Sequence, residues 1–290
     1  GDILTMIQES MAGFSKGQRR IAAYILESYD KAAFLTASKL GKKVNVSEST
    51  VVRFATQIGY GGYPEMQQAI RELLRTKLTS SQRIAVTNEH MEDGDILSSV
   101  LSADIAKIKY TLENTDRAVF EQAVRALLSA RRIYIFGSRA SAMLSQFLSY
   151  NLELIFDNVK RVDFSASAEV FEKLFSIGEG DVLFVTSFPR YSKTAIDVAR
   201  YARAKHATVI TLTDSAASPL AAYTDLLLTA QSDMASFVDS LVAPLSIINA
   251  LIVALGRKNR VTVENTFNDL EKIWDEYDVY EAPKLDERQG

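Results

Sequence analysis

Ser49, Thr50, Arg53 and Gln57 fall within the segment TASKLGKKVNVSESTVVRFATQIG, residues 36–59. On a helix begun at Ser47 they share one side, while Val51, Phe54, Ala55 and Ile58 share the other. The polar side suits the edges of base pairs in a duplex. A guanidinium at Arg53 can bond a guanine edge through two donors, which discriminates by about 1–3 kcal/mol. Ser49 and Thr50 can touch bases or phosphates. Lys39, Lys42, Lys43 and Lys77 suit phosphates, which add affinity and salt dependence without sequence information. The alternatives are an ion pair of Arg53 with Glu48 or Glu27, and plain solvation of the lysines.

Local chemistry supports a helix, a tight turn and a second helix here. The first helix starts at Thr36 and runs through Leu40 and Gly41. Asn45 tolerates the left-handed conformation that a tight turn needs. Gly41 lets the two helices approach closely. The Ser47 hydroxyl can accept a bond from a free backbone N–H in the first turn of the second helix. A helix-turn-helix presents that second helix to the major groove.

A second set of groups lies in the other half of the chain. An apolar run ends in Gly137-Ser138-Arg139-Ala140-Ser141, and another ends in Ser187-Phe188-Pro189-Arg190-Tyr191-Ser192-Lys193-Thr194. Each run reads as a strand that opens into a hydroxyl-rich turn and a helix. Free N–H groups and the positive end of a helix dipole favour a phosphate or carboxylate there. In open parallel sheets, ligands sit at the carboxyl ends of strands. The candidate ligand residues are Gly137, Ser138, Arg139, Ser141, Ser187, Arg190, Ser192 and Thr194. The alternative is that the serines are ordinary helix caps. Gly137 alone makes no dinucleotide fingerprint, because the second and third glycines are missing.

The elements that must carry these groups divide the chain. Residues 1–78 read as helices only: Ile3–Met11, Lys16–Tyr29, Thr36–Lys43, Ser47–Ile58 and Tyr63–Lys77. Residues 79–95 are polar and aperiodic and read as a linker. Residues 96–280 open with a helix bearing Leu97, Leu101, Ile105, Ile108 and Leu112 on one face. From 131 onward, short apolar runs at 132–136, 181–187, 207–213 and 225–230, with a weaker one at 160–164, alternate with helical segments. That pattern predicts a parallel sheet in an α/β layer fold. Val263, Phe267, Leu270, Trp274 and Tyr277 form a narrow seam on the last helix, which is expected to pack on its own domain, the alternative being a partner subunit. Residues 281–290 form a tail.

The bulk numbers agree with a globular protein of two domains. The chain has 290 residues, 47% of them apolar and 24% charged. Residues 1–78 hold 11 Lys/Arg against 7 Asp/Glu, a surplus of 4, while the whole chain carries −3. A basic unit joined to an acidic one suits one module that meets phosphates and one that does not. No cysteine is present, which removes disulfides and thiolate metal sites and fits a reducing cytoplasm. The opening GDILTMIQESM is polar and does not read as a secretory signal. The most apolar run, 241–255, is too short for a membrane span and reads as a buried helix. No metal cluster is visible and no cofactor is called for.

The pattern TASKLGKKVNVSESTVVRFATQIGYGGYPEMQQAI, followed by GSRAS and TSFPRYSKTAIDVARYARAKHATVITLTD, resembles the RpiR family of bacterial transcriptional regulators. The resemblance spans about residues 3 to 280 and follows the family's order of elements. It implies an all-helical helix-turn-helix domain followed by a three-layer α/β sugar isomerase (SIS) domain with a parallel sheet. It also implies a homodimer or homotetramer that binds double-stranded operator DNA and senses a small anionic sugar-derived effector, often as a repressor. SIS domains usually carry a Ser-x-Ser-Gly-x-Thr loop. Here Ser187 matches the first serine and Ser192 replaces the threonine, while Pro189 and Arg190 stand where serine and glycine are expected. Arg190 either meets an acidic ligand or points to solvent. Arg139 sits where glycine is common. These departures leave room for a sugar acid as well as a phosphosugar.

The rival reading is a sugar-phosphate isomerase or lyase on the same domain. Isomerisation needs a Glu or His base beside a carbonyl. His90 falls in the linker and His206 precedes a strand, at the end opposite the turns. Glu153, Glu169 and Glu172 lie on other helices. A regulator is the expectation, with no catalytic residue.

Overall fold

The computed structural model describes residues 2–77, 95–163, 167–232 and 239–280. The expected linker, apart from Asp95, lies outside them, as do His90, Phe164 and the tail at 281–290. Two compact units are present, and each is described by itself.

The first unit contains the helices α1 (Ile3–Ser10), α2 (Lys16–Glu27), α3 (Tyr29–Ala32), α4 (Ala37–Lys43), α5 (Glu48–Gln57) and α6 (Tyr63–Lys77). Caps fix where they begin. Asp2 accepts from the Thr5 N–H at 2.9 Å. Ser15 and Gln18 form a reciprocal capping box. Thr36 accepts from the Lys39 N–H at 3.2 Å. The short helix α3 was not visible in the periodicity. The core is one apolar cluster that includes Ile7, Ile21, Ile25, Leu40, Phe54, Met66, Ile70 and Leu74, all fully buried. Side chains of α6 reach the carbonyls ahead of α4. Tyr63 Oη and Gln67 Nε2 donate to Leu35 O at 2.5 and 2.7 Å, and Arg71 Nε donates to Ala33 O at 3.0 Å. Burial pushes the Tyr63 phenol up to about 12, so it remains a donor at neutral pH.

The second unit is a five-stranded sheet in the order β2-β1-β3-β4-β5, with every adjacent pair parallel. Its strands are β1 (Ile133–Gly137), β2 (Val159–Val162), β3 (Val182–Thr186), β4 (Thr208–Thr213) and β5 (Leu226–Thr229). The helices of this half are α7 (Ile96–Asn114), whose residues 96–105 group with the first unit and 106–114 with the second, α8 (Arg117–Ser129), α9 (Ser141–Glu153), α10 (Ser167–Leu174), α11 (Lys193–Ala204), α12 (Val242–Lys258) and α13 (Arg260–Glu276). Alternation along the strands makes three layers. Ile133, Ile135 and Phe184 meet Leu127 of α8, Leu144 and Leu148 of α9, and Ile248 and Leu251 of α12. Tyr134, Phe136 and Val185 meet Val170 and Leu174 of α10 and Val198 and Ala202 of α11. This is the three-layer α/β architecture expected from the sequence, beside the expected all-helical unit.

Three apolar faces are less covered than a closed core would be, and for α12 and α13 this differs from expectation. The stripe Leu97, Leu101, Ile105, Ile108 and Leu112 of α7 is exposed, with Leu97 at 70% and Ile105 at 67%. The seam of α13 packs on the core of its own domain at Val263, but no residue of that helix is buried, and Phe267 and, just past the helix end, Tyr277 are exposed. The helix α12 has two faces rather than full burial, because Val253 is exposed while Ile248 and Leu251 are not.

One ion cluster staples the amino ends of the central strands. Asp181 is fully buried and receives Arg131 Nε at 3.0 Å, Arg131 Nη2 at 2.9 Å and the Gly178 N–H at 3.0 Å. Arg132 reaches the same carboxylate at 3.2–3.3 Å and also donates to Ser176 O at 2.7 Å. Burial by itself would raise the Asp181 carboxyl. The bonds from Arg131, Arg132 and Gly178 outweigh it and hold the group below the ordinary carboxylate range. The folded state therefore binds this proton less readily than the unfolded chain. Its contribution is complete above the unfolded value, about 4, and is lost as pH falls below that through the folded value. Asp181→Asn should cost about 2–3 kcal/mol at neutral pH, less than a fully buried pair because Arg131 remains solvated. Urea unfolding from pH 7 to 3 should show the gap between wild type and variant narrowing below about pH 4.

Candidate nucleic-acid interface and ligand turns

The helices α4 and α5 are joined by a tight turn in which Asn45 is left-handed, with φ 54°. Val46 N–H donates to Gly41 O at 2.9 Å. A methyl added at Gly41 would lie 2.8 Å from Val46 O and 3.4 Å from Glu48 N, so the turn needs a glycine there. The Ser47 hydroxyl accepts from the Thr50 N–H at 3.3 Å and also pairs with the hydroxyls of Ser49 at 2.9 Å and Thr50 at 2.8 Å. Val51, Phe54, Ala55 and Ile58 are buried, and Ser49, Arg53 and Gln57 are exposed.

Arg53 donates from Nε to Ser49 O at 3.3 Å, and among the described residues no carboxylate pairs with it. The alternative pairing with Glu48 or Glu27 does not form. Lys39, Lys42 and Lys43 are exposed on α4, likewise without an ion pair among the described residues. The side chain of Lys77 lies outside the described residues. Gln57 departs from expectation. It accepts from Gln18 Nε2 at 2.6 Å and donates to Gly13 O at 3.4 Å, so it anchors α5 to the start of α2.

Sequence reading missed the flank of this surface. Arg20 Nη1 donates to Asn45 O at 3.2 Å. Gly17 backs onto Val46 and Thr50, so the first turn of α2 lies against the interhelical turn. Lys16, Arg19 and Arg20 are all exposed there. The available signal was three cations within five residues.

The two ligand turns meet at the carboxyl edge of the sheet. The chain leaves β1 toward β2 on one side and re-enters at β3 on the other, so the direction of winding switches between β1 and β3. Crevices at such switch points take ligands in open α/β sheets. Gly137 pairs with Thr186, which sets Ser138 and Ser187 side by side in register. A methyl at Gly137 would lie 2.5 Å from Ser141 O and 2.6 Å from Thr186 Oγ1, so the first turn of α9 sits directly on the strand end. Thr186 Oγ1 also donates to Ser141 O at 3.3 Å and pairs with Ser145 Oγ at 3.1 Å.

The turns differ in what they leave open. No side chain caps α9. Ser138 and Ser141 are buried, and their hydroxyls have no partner among the described residues. Arg139 is exposed and left-handed, with φ 57°. The β3 turn is already bonded within itself. Ser187 Oγ accepts from the Ser192 N–H at 3.2 Å, and Ser192 Oγ accepts from the Ala195 N–H at 3.4 Å. Each of these hydroxyls can still donate its own hydrogen. Arg190 is exposed, and Thr194 is half-buried in the first turn of α11. Tyr191 Oη donates to Asp214 Oδ1 at 2.8 Å and ties this turn to the end of β4, a link without a sequence signal. Neither turn carries a Glu or His. Glu153 lies at the far end of α9 and accepts from Ser149 at 2.8 Å, and His206 is exposed ahead of β4. Among the described residues, no group of three His, Cys, Asp or Glu side chains could hold a metal ion, and no helix is long and apolar enough to cross a membrane.

A helix-turn-helix module and an α/β module whose serine turns lie at its switch point define a two-module transcriptional regulator. Residues 1–77 match the helix-turn-helix domain of the rpiR family, and residues 126–254 match the SIS domain. The chain belongs to the RpiR family of transcriptional regulators. It is 28% identical over 275 residues to the HTH-type transcriptional regulator HexR of Pseudomonas aeruginosa, covering 90% of this chain and 91% of that protein. It is 25% identical over 264 residues to HexR of Escherichia coli, covering 86% of each. The fold is shared with the Vibrio vulnificus NanR protein complexed with ManNAc-6P. That match has a TM-score of 0.59 and 24% identity, and covers 95% of this chain and 99% of that one. Its relatives place the chain among regulators rather than isomerases.

Gly41→Ala and Gly137→Ala should each lower unfolding stability by about 1–3 kcal/mol, because the obstructing atoms include backbone. Gly13→Ala is the control, since a methyl there meets nothing within 4 Å, and it should change stability by less than about 0.5 kcal/mol. Urea denaturation of the three variants checks this.

Proposed function

We propose that this regulator binds double-stranded operator DNA through α5 and senses an anionic sugar metabolite at the β1 and β3 turns. The observation that carries the reading is a pair of open sites. Among the described residues Arg53 stands on an exposed helix face without a carboxylate partner, and the uncapped end of α9 lies beside the hydroxyls of Ser138 and Ser141, which bond no described residue. On this reading Arg53, Ser49 and Thr50 face bases. Ser47, Lys39, Lys42 and Lys43 meet phosphates, joined by Lys16, Arg19 and Arg20. Gln57 holds the helix in place. The ligand is a phosphosugar or a sugar acid. Its charged group meets Gly137, Ser138, Arg139 and Ser141, with hydrogen donors from Ser187 and Ser192 and with Arg190 and Thr194 at the margin.

The functional unit in this reading is a homodimer or homotetramer in the cytoplasm. Support comes from the exposed apolar stripe of α7, which a second copy would cover. A dimer reads half-sites about 34–36 Å apart or a multiple of that, so a small repacking of the subunit interface on ligand binding changes the fit to DNA. The 1–78 unit is then the reader and the 96–280 unit the sensor.

Duplexes selected from a random pool test the reader. Arg53→Ala should weaken the selected duplex by about 5–150-fold and relax specificity at one base pair. Lys42→Ala should weaken selected and random duplexes alike and lower the salt slope by about 1. Equal affinities for wild type and Arg53→Ala on both kinds of duplex would refute the assignment. Calorimetry tests the coupling with a panel of phosphosugars and sugar acids. Ligand affinity should differ by about 5–150-fold with and without the selected duplex, and the effect must be reciprocal. Ser138→Ala combined with Ser141→Ala should abolish the ligand heat.

A further inference from the structure

The exposed side chains of α5 are Glu48, Ser49, Val52, Arg53, Thr56 and Gln57. Val52 is the apolar one among them, at 40% exposed. It belongs neither to the buried core of its unit nor to the partly buried residues packed against it. The neighbouring Val51 does that work and is fully buried. Val52 follows Ser49 by three residues, precedes Thr56 by four and adjoins Arg53, so it stands in the middle of the outward stripe. Its neighbours turn polar groups back onto the helix. Thr56 Oγ1 donates to Val52 O at 2.9 Å, and Arg53 Nε donates to Ser49 O at 3.3 Å. A β-branched side chain in a helix has one strongly preferred rotamer, so its two methyls are held in place.

In the major groove, thymine presents a C5 methyl that apolar side chains recognise, while the other base edges offer hydrogen-bonding groups. We infer that Val52 reads a thymine methyl next to the base pair met by Arg53. The inference rests on the proposed binding of a duplex by α5 and adds an apolar contact to its polar ones.

The experiment takes duplexes enriched by the full-length wild-type chain and replaces each thymine of the half-site by uracil. Uracil keeps the hydrogen-bonding edge and lacks the methyl. One thymine per half-site should prove sensitive, with wild-type binding falling about fourfold per half-site, the amount expected for one buried methyl. Val52→Ala should bind the thymine duplex more weakly and show a thymine-to-uracil ratio near one at that position. Val52→Thr, which keeps one methyl and the same shape, should retain part of the ratio. Thermal melting of both variants should match wild type, since the residue lies outside the core. A half-site without thymine, a wild type indifferent to every replacement, or a Val52→Ala variant with the wild-type ratio would overturn the inference while leaving the duplex reading intact. Enrichment of no duplex at all would remove both.

Discussion

Both modules depend on a place where two stretches of backbone come too close for a methyl group. At Gly41 the opposing atom is Val46 O, and at Gly137 it is Ser141 O. The first contact draws the end of α4 onto the start of α5 and sets the angle at which α5 leaves the bundle. The second seats the first turn of α9 on the end of β1. In each case the contact fixes the position of a helix N-terminus. Interiors pack at near-crystalline density, so a one-carbon change at such a contact must move backbone.

The hydroxyl groups divide into those that complete the fold and those that do not. Ser47 caps α5, Ser192 caps α11, and Thr186 bridges the strand end to α9. The hydroxyls of Ser138 and Ser141 complete nothing within the described residues, although both residues are buried. Neither hydroxyl is among the buried polar atoms left without a partner, so both still reach solvent at the strand end. The opposite end of the sheet shows the contrast. There Asp181 has bonds to two arginines and a backbone N–H, and that end is closed.

In the proposed reading the helix α9 links the ligand turns to the surface. Its N-terminus forms the β1 turn, and Leu144, Leu148 and Leu152 lie in the core. Met143, Phe147 and Tyr150 stand exposed on its outer side. In that reading a ligand that displaces the first turn of α9 also displaces the outer flank of the helix. In the proposed reading this is how a ligand reaches a subunit interface. The exposed stripe of α7 and the open seam of α13 provide further surface of the same kind.

Features held within a few consecutive residues are legible in the amino-acid sequence alone. These include the two-faced helix after Ser47, the left-handed Asn45, the close approach at Gly41 and the parallel strands with their turns. Period, capping and turn chemistry act over about one turn of chain, so adjacent residues suffice to specify them. What the chain could not show locally was decided by partners far along it. Gln57 lies on the outward side of α5, and only the structure shows that it bonds Gln18, 39 positions away. Helical periodicity assigned α7 an apolar face but left open what covers it. Strand propensity assigned β1 and β3 but not that they lie side by side, and that adjacency alone sets two ordinary serine turns at neighbouring strand ends. Such neighbours are chosen by burial and backbone pairing across the whole unit, which no window of sequence contains.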